Sequence, residues 1–337
     1  MKSVLSILCL CAFAATSLAE TSTPAKIVDV DKIWDKAPHN AFTDLIRFKD
    51  QWYCVFREGE GHVSKIGSLR ILRSADGKNW ESAALVTSDT ADLRDAKISI
   101  APDGKLCLAG AGALHPPADA KHQSYIWYSE NGEDWSDAIA IGDPNFWIWR
   151  IVWHEGNAYG VGYSTVQPHA ARFYKSEDGK SFQQVGDEFD VAGYMNETGL
   201  IFLEDGTAMC LLRRDKNHRT AMLGTAKAPY TDWNWKDLGA YVGGPQLIHL
   251  EDGRFIVGGR KTDGGAKTVI WELDPEAGKL HELAELPSGG DTSYPGLVEH
   301  DGKLYVSYYS SHEGKTSIYF AELELPEASV IAQTAQK

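Results

Sequence analysis

The chain has 337 residues and a formal net charge of −14, from 47 Asp and Glu against 33 Lys and Arg. Its acidic residues are scattered, and a negative surface repels the phosphates of nucleic acids, so we expect no nucleic-acid partner. Beyond the N-terminal segment, no stretch approaches the roughly 20 apolar residues that a membrane-spanning helix needs, so we expect no membrane partner. Arginines gathered at one pocket would be an exception to this negative field and would suit an anionic ligand.

Residues 1–19 have the pattern of a secretory signal peptide. Lys2 supplies the positive start, residues 4–15 supply the apolar stretch, and Ser17-Leu18-Ala19 offers a small-residue cleavage site. We therefore expect a protein that is secreted or periplasmic after cleavage near Ala19. The remaining residues, 20–337, carry one continuous repeat without a Pro- or Ser-rich linker, which predicts a single domain.

One unit, a tight turn followed by a short apolar strand, recurs along the mature chain. Its six turns are Lys49-Asp50-Gln51, Asp103-Gly104, Glu155-Gly156, Asp205-Gly206, Asp252-Gly253 and Asp301-Gly302. They lie roughly 50 residues apart, a period typical of propellers and solenoids. Each unit is long enough for four antiparallel strands, and no stretch shows a sustained helical period. The sequence therefore predicts an all-β, six-bladed β-propeller in which a strand from one terminus completes the blade of the other.

A second motif occurs in the outer half of three predicted blades, at residues 74–80 (SADGKNW), 129–135 (SENGEDW) and 176–182 (SEDGKSF). The Asp or Asn accepts backbone N–H groups within the turn, and the glycine supplies a positive φ. We call these segments the outer turns. They resemble the Asp-box (BNR) repeats of the sialidase (neuraminidase) superfamily, and the resemblance extends over nearly the whole mature chain. It implies a sialidase-like propeller in which the outer turns are structural.

The starts of the first strands of the blades should surround one end of the central tunnel, which we call the mouth. A pocket at this end is the expected binding site of a ring-shaped fold. Polar and ionisable residues are concentrated there, in residues 40–44, 94–95, 147–150, 196–197, 244–246 and 291–294.

The resemblance to sialidases assigns roles to four residues. Tyr294 resembles the family's nucleophilic tyrosine, Glu197 the glutamate that activates it, and Arg213 and Arg260 two of the three arginines that bind the carboxylate of the sugar. A neutral phenol avoids the repulsion that a carboxylate nucleophile would meet at a carbon bearing a carboxylate. The planar guanidinium group suits the ligand because it makes two parallel charge-assisted hydrogen bonds.

The two arginines also follow from the repeat. Arg213 comes seven residues after Gly206, and Arg260 comes seven residues after Gly253. If each unit is one blade, the two side chains project from equivalent places and can converge at the mouth.

The first blade departs from the family pattern. Sialidases carry their first arginine in a Tyr/Phe-Arg-Ile-Pro stretch, and residues 39–44 (HNAFTD) hold none here. Arg57, Arg94 or Arg150 could take its place. The family's acid/base aspartate comes from the loop that corresponds to residues 58–64 (EGEGHVS), which contains no Asp. Candidate proton donors are therefore the loop residues Glu58, Glu60 and His62 and, at the mouth, Asp44 and Asp95.

These patterns predict an exo-glycoside hydrolase that removes a terminal carboxylated sugar from an anionic glycan. One alternative is a propeller that binds a glycan without cleaving it, which the missing arginine and aspartate favour. Another is a hydrolase for neutral sugars with two carboxylates, drawn from Asp44, Asp95 and Glu197. No ligand spacing suggests a metal and no glycine loop suggests a phosphate-bearing cofactor, so we expect neither.

Overall fold

Six antiparallel sheets make up residues 23–327, the part of the chain that this computed structural model describes. Every helix or strand in this part is a β-strand. The innermost strands of consecutive sheets contact one another and the first contacts the last, so the sheets form the predicted closed ring of six blades. The proposed signal peptide, residues 1–19, lies outside the described residues. No helix among residues 23–327 is long and apolar enough to cross a membrane.

The strands follow one another from the axis of the ring outwards in each blade. The first strand is β1 (Lys26–Trp34). Blade 1 contains β2 (His39–Phe48), β3 (Gln51–Gly59), β4 (Gly67–Ser74) and β5 (Glu81–Val86). Blade 2 contains β6 (Ala91–Ile100), β7 (Leu106–Leu114), β8 (His122–Ser129) and β9 (Ile139–Ile141). Blade 3 contains β10 (Phe146–Ile148), β11 (Val152–His154), β12 (Asn157–Ser164), β13 (Ala171–Ser176) and β14 (Gln183–Val185).

The second half of the ring is built in the same way. Blade 4 contains β15 (Tyr194–Phe202), β16 (Ala208–Asp215), β17 (Met222–Ala226) and β18 (Asn234–Asp237). Blade 5 contains β19 (Gly243–His249), β20 (Phe255–Lys261), β21 (Lys267–Asp274) and β22 (Lys279–Glu285). Blade 6 contains β23 (Thr292–His300), β24 (Lys303–Ser310) and β25 (Ser317–Glu324). Its outermost strand is β1, which pairs with β25.

The innermost strand of every blade contains one residue more than its partner pairs with. In blade 1, Ala41 pairs with Arg57 and Asp44 pairs with Val55, so one residue of β2 is extra. The same irregularity occurs in blades 2, 4, 5 and 6. In blade 3 it separates β10 from β11. Such bulges bend a strand and redirect its side chains. Here they lie where the predicted mouth residues are.

The outer turns attach each blade to the one before it. The hydroxyl of Tyr53, in blade 1, donates to the carbonyl of Asn131 in blade 2 at 3.0 Å. In the same way Tyr128, in blade 2, donates to the carbonyl of Gly179 in blade 3 at 2.6 Å. The Tyr53 ring also packs against Gly132, and the Tyr128 hydroxyl and the Trp153 ring lie against Gly179. The outer turns therefore stabilise the contacts between blades as well as the hairpins that contain them.

This packing predicts different effects for two glycine substitutions. Gly132 and Gly104 both have a positive φ, of 79° and 81°. A Cβ at position 132 would lie 2.3 Å from Tyr53, whereas one at position 104 would meet nothing within 4 Å. We expect Gly104→Ala to reduce the free energy of unfolding by about 1 kcal/mol, through backbone strain alone. Gly132→Ala should reduce it by about 1–3 kcal/mol more, because overpacking is added. Urea unfolding of both variants measures the difference, and equal losses would contradict the docking role.

Candidate active site

Tyr294 and Glu197 meet at the mouth although they come from blades 6 and 4. Both lie at the bulges of their innermost strands, β23 and β15. Tyr294 has a φ of 52°, which lies outside the range of an extended strand, so its side chain does not follow the alternating directions of its neighbours in β23. Its hydroxyl donates to Glu197 Oε1 at 2.5 Å. Arg213 donates to the other carboxylate oxygen of Glu197 and, at 3.1 Å, to the Tyr294 hydroxyl.

The surroundings of Tyr294 keep its phenol protonated. Burial and the charge of Glu197 raise the pKa of Tyr294 well above its ordinary value, against the opposing charges of Arg213 and Arg260. The phenol therefore needs a partner to remove its proton before its oxygen can react. The 2.5 Å hydrogen bond puts the carboxylate of Glu197 in the place where such a base has to be.

Arg213 and Arg260 do converge on Tyr294, but not from equivalent places. Arg213 lies opposite the bulge, between Leu212, which pairs with Thr198, and Arg214, which pairs with Met195. Arg260 pairs directly with Gly243, on the far side of its own bulge. The equal spacing in the sequence therefore does not correspond to equal register, because the innermost strand of blade 4 is longer between its bulge and its turn.

The two guanidinium groups differ in how far they are already bound. Besides Glu197 and Tyr294, Arg213 contacts Asp215 at 3.0 Å. Arg260 lies 5.4 Å from the centre of the Tyr294 ring. Among the described residues, its one hydrogen bond runs to the carbonyl of Thr292, at 3.3 Å. Arg260 is thus the arginine with donors left for a ligand.

The surroundings of Asp95 disfavour the ionised form of its carboxyl group. It lies at the bulge of blade 2 with a φ of 55°, and within residues 23–327 it has no hydrogen-bond partner. Burial raises the pKa of Asp95 to about 6, with Lys97 opposing the rise and Glu197 adding to it. Burial and the charge of Arg150 in turn lower the pKa of Lys97 to about 8. The side chain of Asp95 is half-buried, so it can reach a ligand.

Arg57 and Glu58 do not have the environments that the sequence suggested. Arg57 is fully buried and donates to the carbonyls of Leu93 and Gly61, at 3.2 and 2.8 Å, while also bonding to Ser64 and Asp92. Its guanidinium group holds the loop after β3 and has no free side for a carboxylate. Glu58 accepts hydrogen bonds from Trp34 at 2.6 Å and Arg70 at 2.9 Å. These contacts correct the expectation that the two residues serve as clamp and proton donor.

Asp44 and Arg150 are likewise removed from the mouth. They form a buried ion pair at 2.7 Å, and Asp44 also accepts the backbone N–H of Ile98. Together with Lys97 they line a cavity of about 400 Å³ whose other walls are the parts of the innermost strands beyond the bulges. The predicted roles of Asp44 and Arg150 in substrate binding are therefore replaced by a role inside the tunnel. Arg94, the other candidate for the clamp, pairs with Asp92 at 2.6 Å.

His62 reaches the mouth, with partners that the sequence analysis missed. Its Nδ1 lies 2.8 Å from Asp291 Oδ2, and His39 Nε2 lies 2.9 Å from the same oxygen. Although burial opposes it, the hydrogen bonds from these histidines and from Tyr309 lower the pKa of Asp291 well below its usual range. Both missed residues belong to segments that the sequence had placed at the mouth or next to it. Their pairing could not be predicted because 252 positions separate them.

Phe42 lies at the bulge of blade 1, in the segment where the resemblance to sialidases predicts an arginine. It is buried, with a φ of 65°. Its ring centre lies 5.1 Å from that of Tyr294 and 5.0 Å from that of His62. Blade 1 therefore presents an aromatic ring to Tyr294. The arginines that approach Tyr294, Arg213 and Arg260, come from blades 4 and 5.

The raised pKa of Asp95 predicts a gain in stability when its charge is removed. A pKa that rises from 3.8 to about 6 on folding means that stability is lost as the pH rises through this range. Asp95→Asn avoids that loss, so well above pH 6 it should be more stable than the wild type by about 3 kcal/mol. Below pH 4 the two proteins should be equally stable. Urea unfolding at several pH values tests this, with the exposed Asp187→Asn as control, and a difference that does not vary with pH would contradict it.

Comparison with known proteins places the fold. No protein-family model matches the chain, and no curated protein sequence matches it either. A protein of unknown function from Dyadobacter fermentans is similar in structure, with 18% identity, a TM-score of 0.76, and coverage of 90% of this chain and 99% of that one. An α-L-arabinofuranosidase variant from Fusarium graminearum, in complex with an iminosugar inhibitor, has 12% identity, a TM-score of 0.66, and coverage of 90% and 98%.

A sialidase from Trypanosoma rangeli is similar as well, with 11% identity and a TM-score of 0.67. The match covers 90% of this chain but 57% of the sialidase, so the chain spans little more than half the length of that enzyme. At such identities the likeness concerns the path of the backbone. The chain therefore has the six-bladed, sialidase-like propeller fold.

Proposed function

We propose that this protein is a glycoside hydrolase that removes a terminal carboxylated sugar, with Tyr294 as nucleophile and Glu197 as its base. The observation that carries the proposal is the 2.5 Å hydrogen bond between the buried phenol of Tyr294 and the carboxylate of Glu197. A tyrosine bonded to a carboxylate in a binding site is the arrangement that a neutral nucleophile requires. Such a nucleophile suits an anomeric carbon that carries a carboxylate, where an anionic nucleophile would be repelled.

In this mechanism the Tyr294 oxygen bonds to the anomeric carbon while its proton passes to Glu197. The bond to the leaving-group oxygen breaks, and that oxygen takes a proton from a general acid. Water then attacks the same carbon, gives a proton back to the general acid and releases the sugar, and Glu197 returns the proton to Tyr294. Arg213 donates to both Glu197 and the Tyr294 oxygen, so it can stabilise the negative charge wherever the proton lies.

Asp95 is our choice for the general acid. With a pKa of about 6, part of its population carries a proton near neutral pH, as a group that must both give and take a proton should. It is half-buried and unpaired within the described residues, so its carboxyl group is available to a ligand. Glu58 lacks this freedom because Trp34 and Arg70 already bind it.

Arg260 would bind the carboxylate of the sugar. It is half-buried beside the Tyr294 ring and, among residues 23–327, has a single, long hydrogen bond. Propellers of the same fold include sialidases and an arabinofuranosidase, which supports a carbohydrate as the ligand. The anionic character of that carbohydrate, and a secreted or periplasmic destination after cleavage near Ala19, are parts of the same proposal.

A hydrolase for neutral sugars is the second candidate, because the charges of Asp95 and Glu197 influence each other. A two-carboxylate mechanism uses one carboxyl group as the acid and the other as the base or nucleophile. Asp44 no longer belongs to this alternative, since Arg150 and the backbone of Ile98 bind it inside the tunnel.

Substitution of the two central residues tests the proposed function. On chromogenic ketosides of carboxylated sugars, Tyr294→Phe and Glu197→Gln should each lower kcat by about 10²–10⁴-fold, because the nucleophile or its base is lost. Tyr305→Phe, in the same blade but near the turn of residues 301–302 and away from the mouth, is the matched control and should keep wild-type activity.

The other outcomes identify the alternatives. Binding of the carboxylated sugar without turnover by the wild type would overturn the proposal in favour of a glycan-binding propeller. Turnover of neutral glycosides that survives Tyr294→Phe but is lost in Asp95→Asn would establish the two-carboxylate mechanism.

The role of Arg260 has its own test. Arg260→Gln should raise KM for a carboxylated substrate by about 10–100-fold, the effect of losing a hydrogen bond between charged groups. KM for the matched substrate in which the carboxylate is an amide should change much less. Arg47→Gln, at the end of β2 next to the turn of residues 49–51 and away from the mouth, serves as the control. Equal losses on both substrates would show that Arg260 does not read the carboxylate.

A further inference from the structure

Three potential metal ligands converge at the rim of the mouth from separate parts of the chain. His39 begins β2, His62 lies in the loop between β3 and β4, and Asp291 immediately precedes β23. Their nitrogen and oxygen atoms all lie within 4.8 Å of one another. Both histidine nitrogens point at the same oxygen, Asp291 Oδ2, at 2.9 Å for His39 and 2.8 Å for His62. None of these residues has a part in the mechanism proposed above.

The donor atoms match those of a divalent cation site with one open side. Two imidazoles and one carboxylate are a common set of three protein ligands for Zn²⁺, whose fourth ligand is then water or substrate. The other oxygen of Asp291 accepts a hydrogen bond from the Tyr309 hydroxyl at 2.8 Å. Such an outer partner orients a ligating carboxylate.

The cluster can close around an ion with small movements. Ligand atoms at about 2.0–2.2 Å from a tetrahedral ion lie roughly 3.2–3.6 Å from one another. The pairs made with Asp291 Oδ2 are already close to this separation, and all three atoms fall within 4.8 Å. The His62 side chain is exposed, so it is the ligand that can turn towards an ion while Arg57 holds the backbone of its loop.

The atoms of the cluster that face one another are Nε2 of His39, Nδ1 of His62 and Oδ2 of Asp291. Nδ1 of His39 lies on the other side of its ring, where it is buried without a hydrogen-bond partner, and it takes no part in the cluster. The spacing of residues in the sequence did not indicate a metal site, because the three ligands come from both ends of the described chain.

We propose that His39, His62 and Asp291 bind a divalent cation of the late first transition row, Zn²⁺ above all, with the open coordination position towards the mouth. The Phe42 ring touches both the His62 and the Tyr294 rings, so the ion would lie about one aromatic ring away from Tyr294. It would add positive charge on the side of Tyr294 that has no arginine. This inference does not depend on the proposed hydrolase activity.

Titration with Co²⁺ tests the site, because bound Co²⁺ has visible absorption bands that report its ligands. The protein, purified without a polyhistidine tag, should bind one equivalent at micromolar concentration and release it to Zn²⁺ but not to Mg²⁺. His62→Ala and Asp291→Asn should each weaken Co²⁺ binding by more than the roughly 10–100-fold effect of losing an outer partner. His281→Ala, in the outermost strand of blade 5, is the control and should bind as the wild type does.

His62 is the decisive position because its exposed side chain can be removed without a cavity in the core. Without metal, the thermal unfolding temperature of His62→Ala should match that of the wild type. Absence of stoichiometric binding by the wild type would overturn the proposal. Binding that persists unchanged in both His62→Ala and Asp291→Asn would overturn it as well, because the ion would then lie elsewhere.

Discussion

The surplus residue in every innermost strand is the constraint on which the rest of the site depends. A regular strand would send alternate side chains into the two neighbouring interfaces between blades. The bulge breaks that alternation once in each blade. Phe42, Asp95 and Tyr294 accept a positive φ there. Conformations of this kind persist only where the surrounding structure enforces them, and they cluster at functional sites.

The charges around Tyr294 are arranged so that few of them cancel completely. Arg213 is shared between Glu197, Asp215 and the phenol, whereas Arg260 retains unused donors. Asp95 lacks a partner among the described residues, and its pKa of about 6 reflects that isolation. Inside the tunnel, by contrast, Asp44 and Arg150 neutralise each other. The bulges thus separate the Asp44–Arg150 pair in the tunnel from a mouth in which Arg260 and Asp95 keep polar atoms for a ligand.

The sequence predicted the ring and the meeting of Tyr294, Glu197 and Arg213, because turns, strands and family-like motifs are local patterns. It failed where the direction of a side chain decided the outcome. Arg57 and Glu58 flank the predicted mouth in the sequence, yet their groups are taken up by the loop after β3 and by Trp34 and Arg70. The pairing of Arg260 with Gly243 could not be predicted either. The number of residues between a turn and an arginine does not show where the bulge of the neighbouring strand lies.

Closure of the ring pairs β1, from the start of the described chain, with β25, from its end. His39, His62 and Phe42 belong to blade 1, and Asp291 and Tyr294 to blade 6, so this side of the site lies across the seam between the first and last blades. During synthesis blade 1 is made first, and its side of the seam is completed only when β23, β24 and β25 have been made. A chain that ends before β23 lacks Tyr294, and one that loses β24 and β25 lacks the strand that pairs with β23. Assembly of the site therefore coincides with completion of the fold.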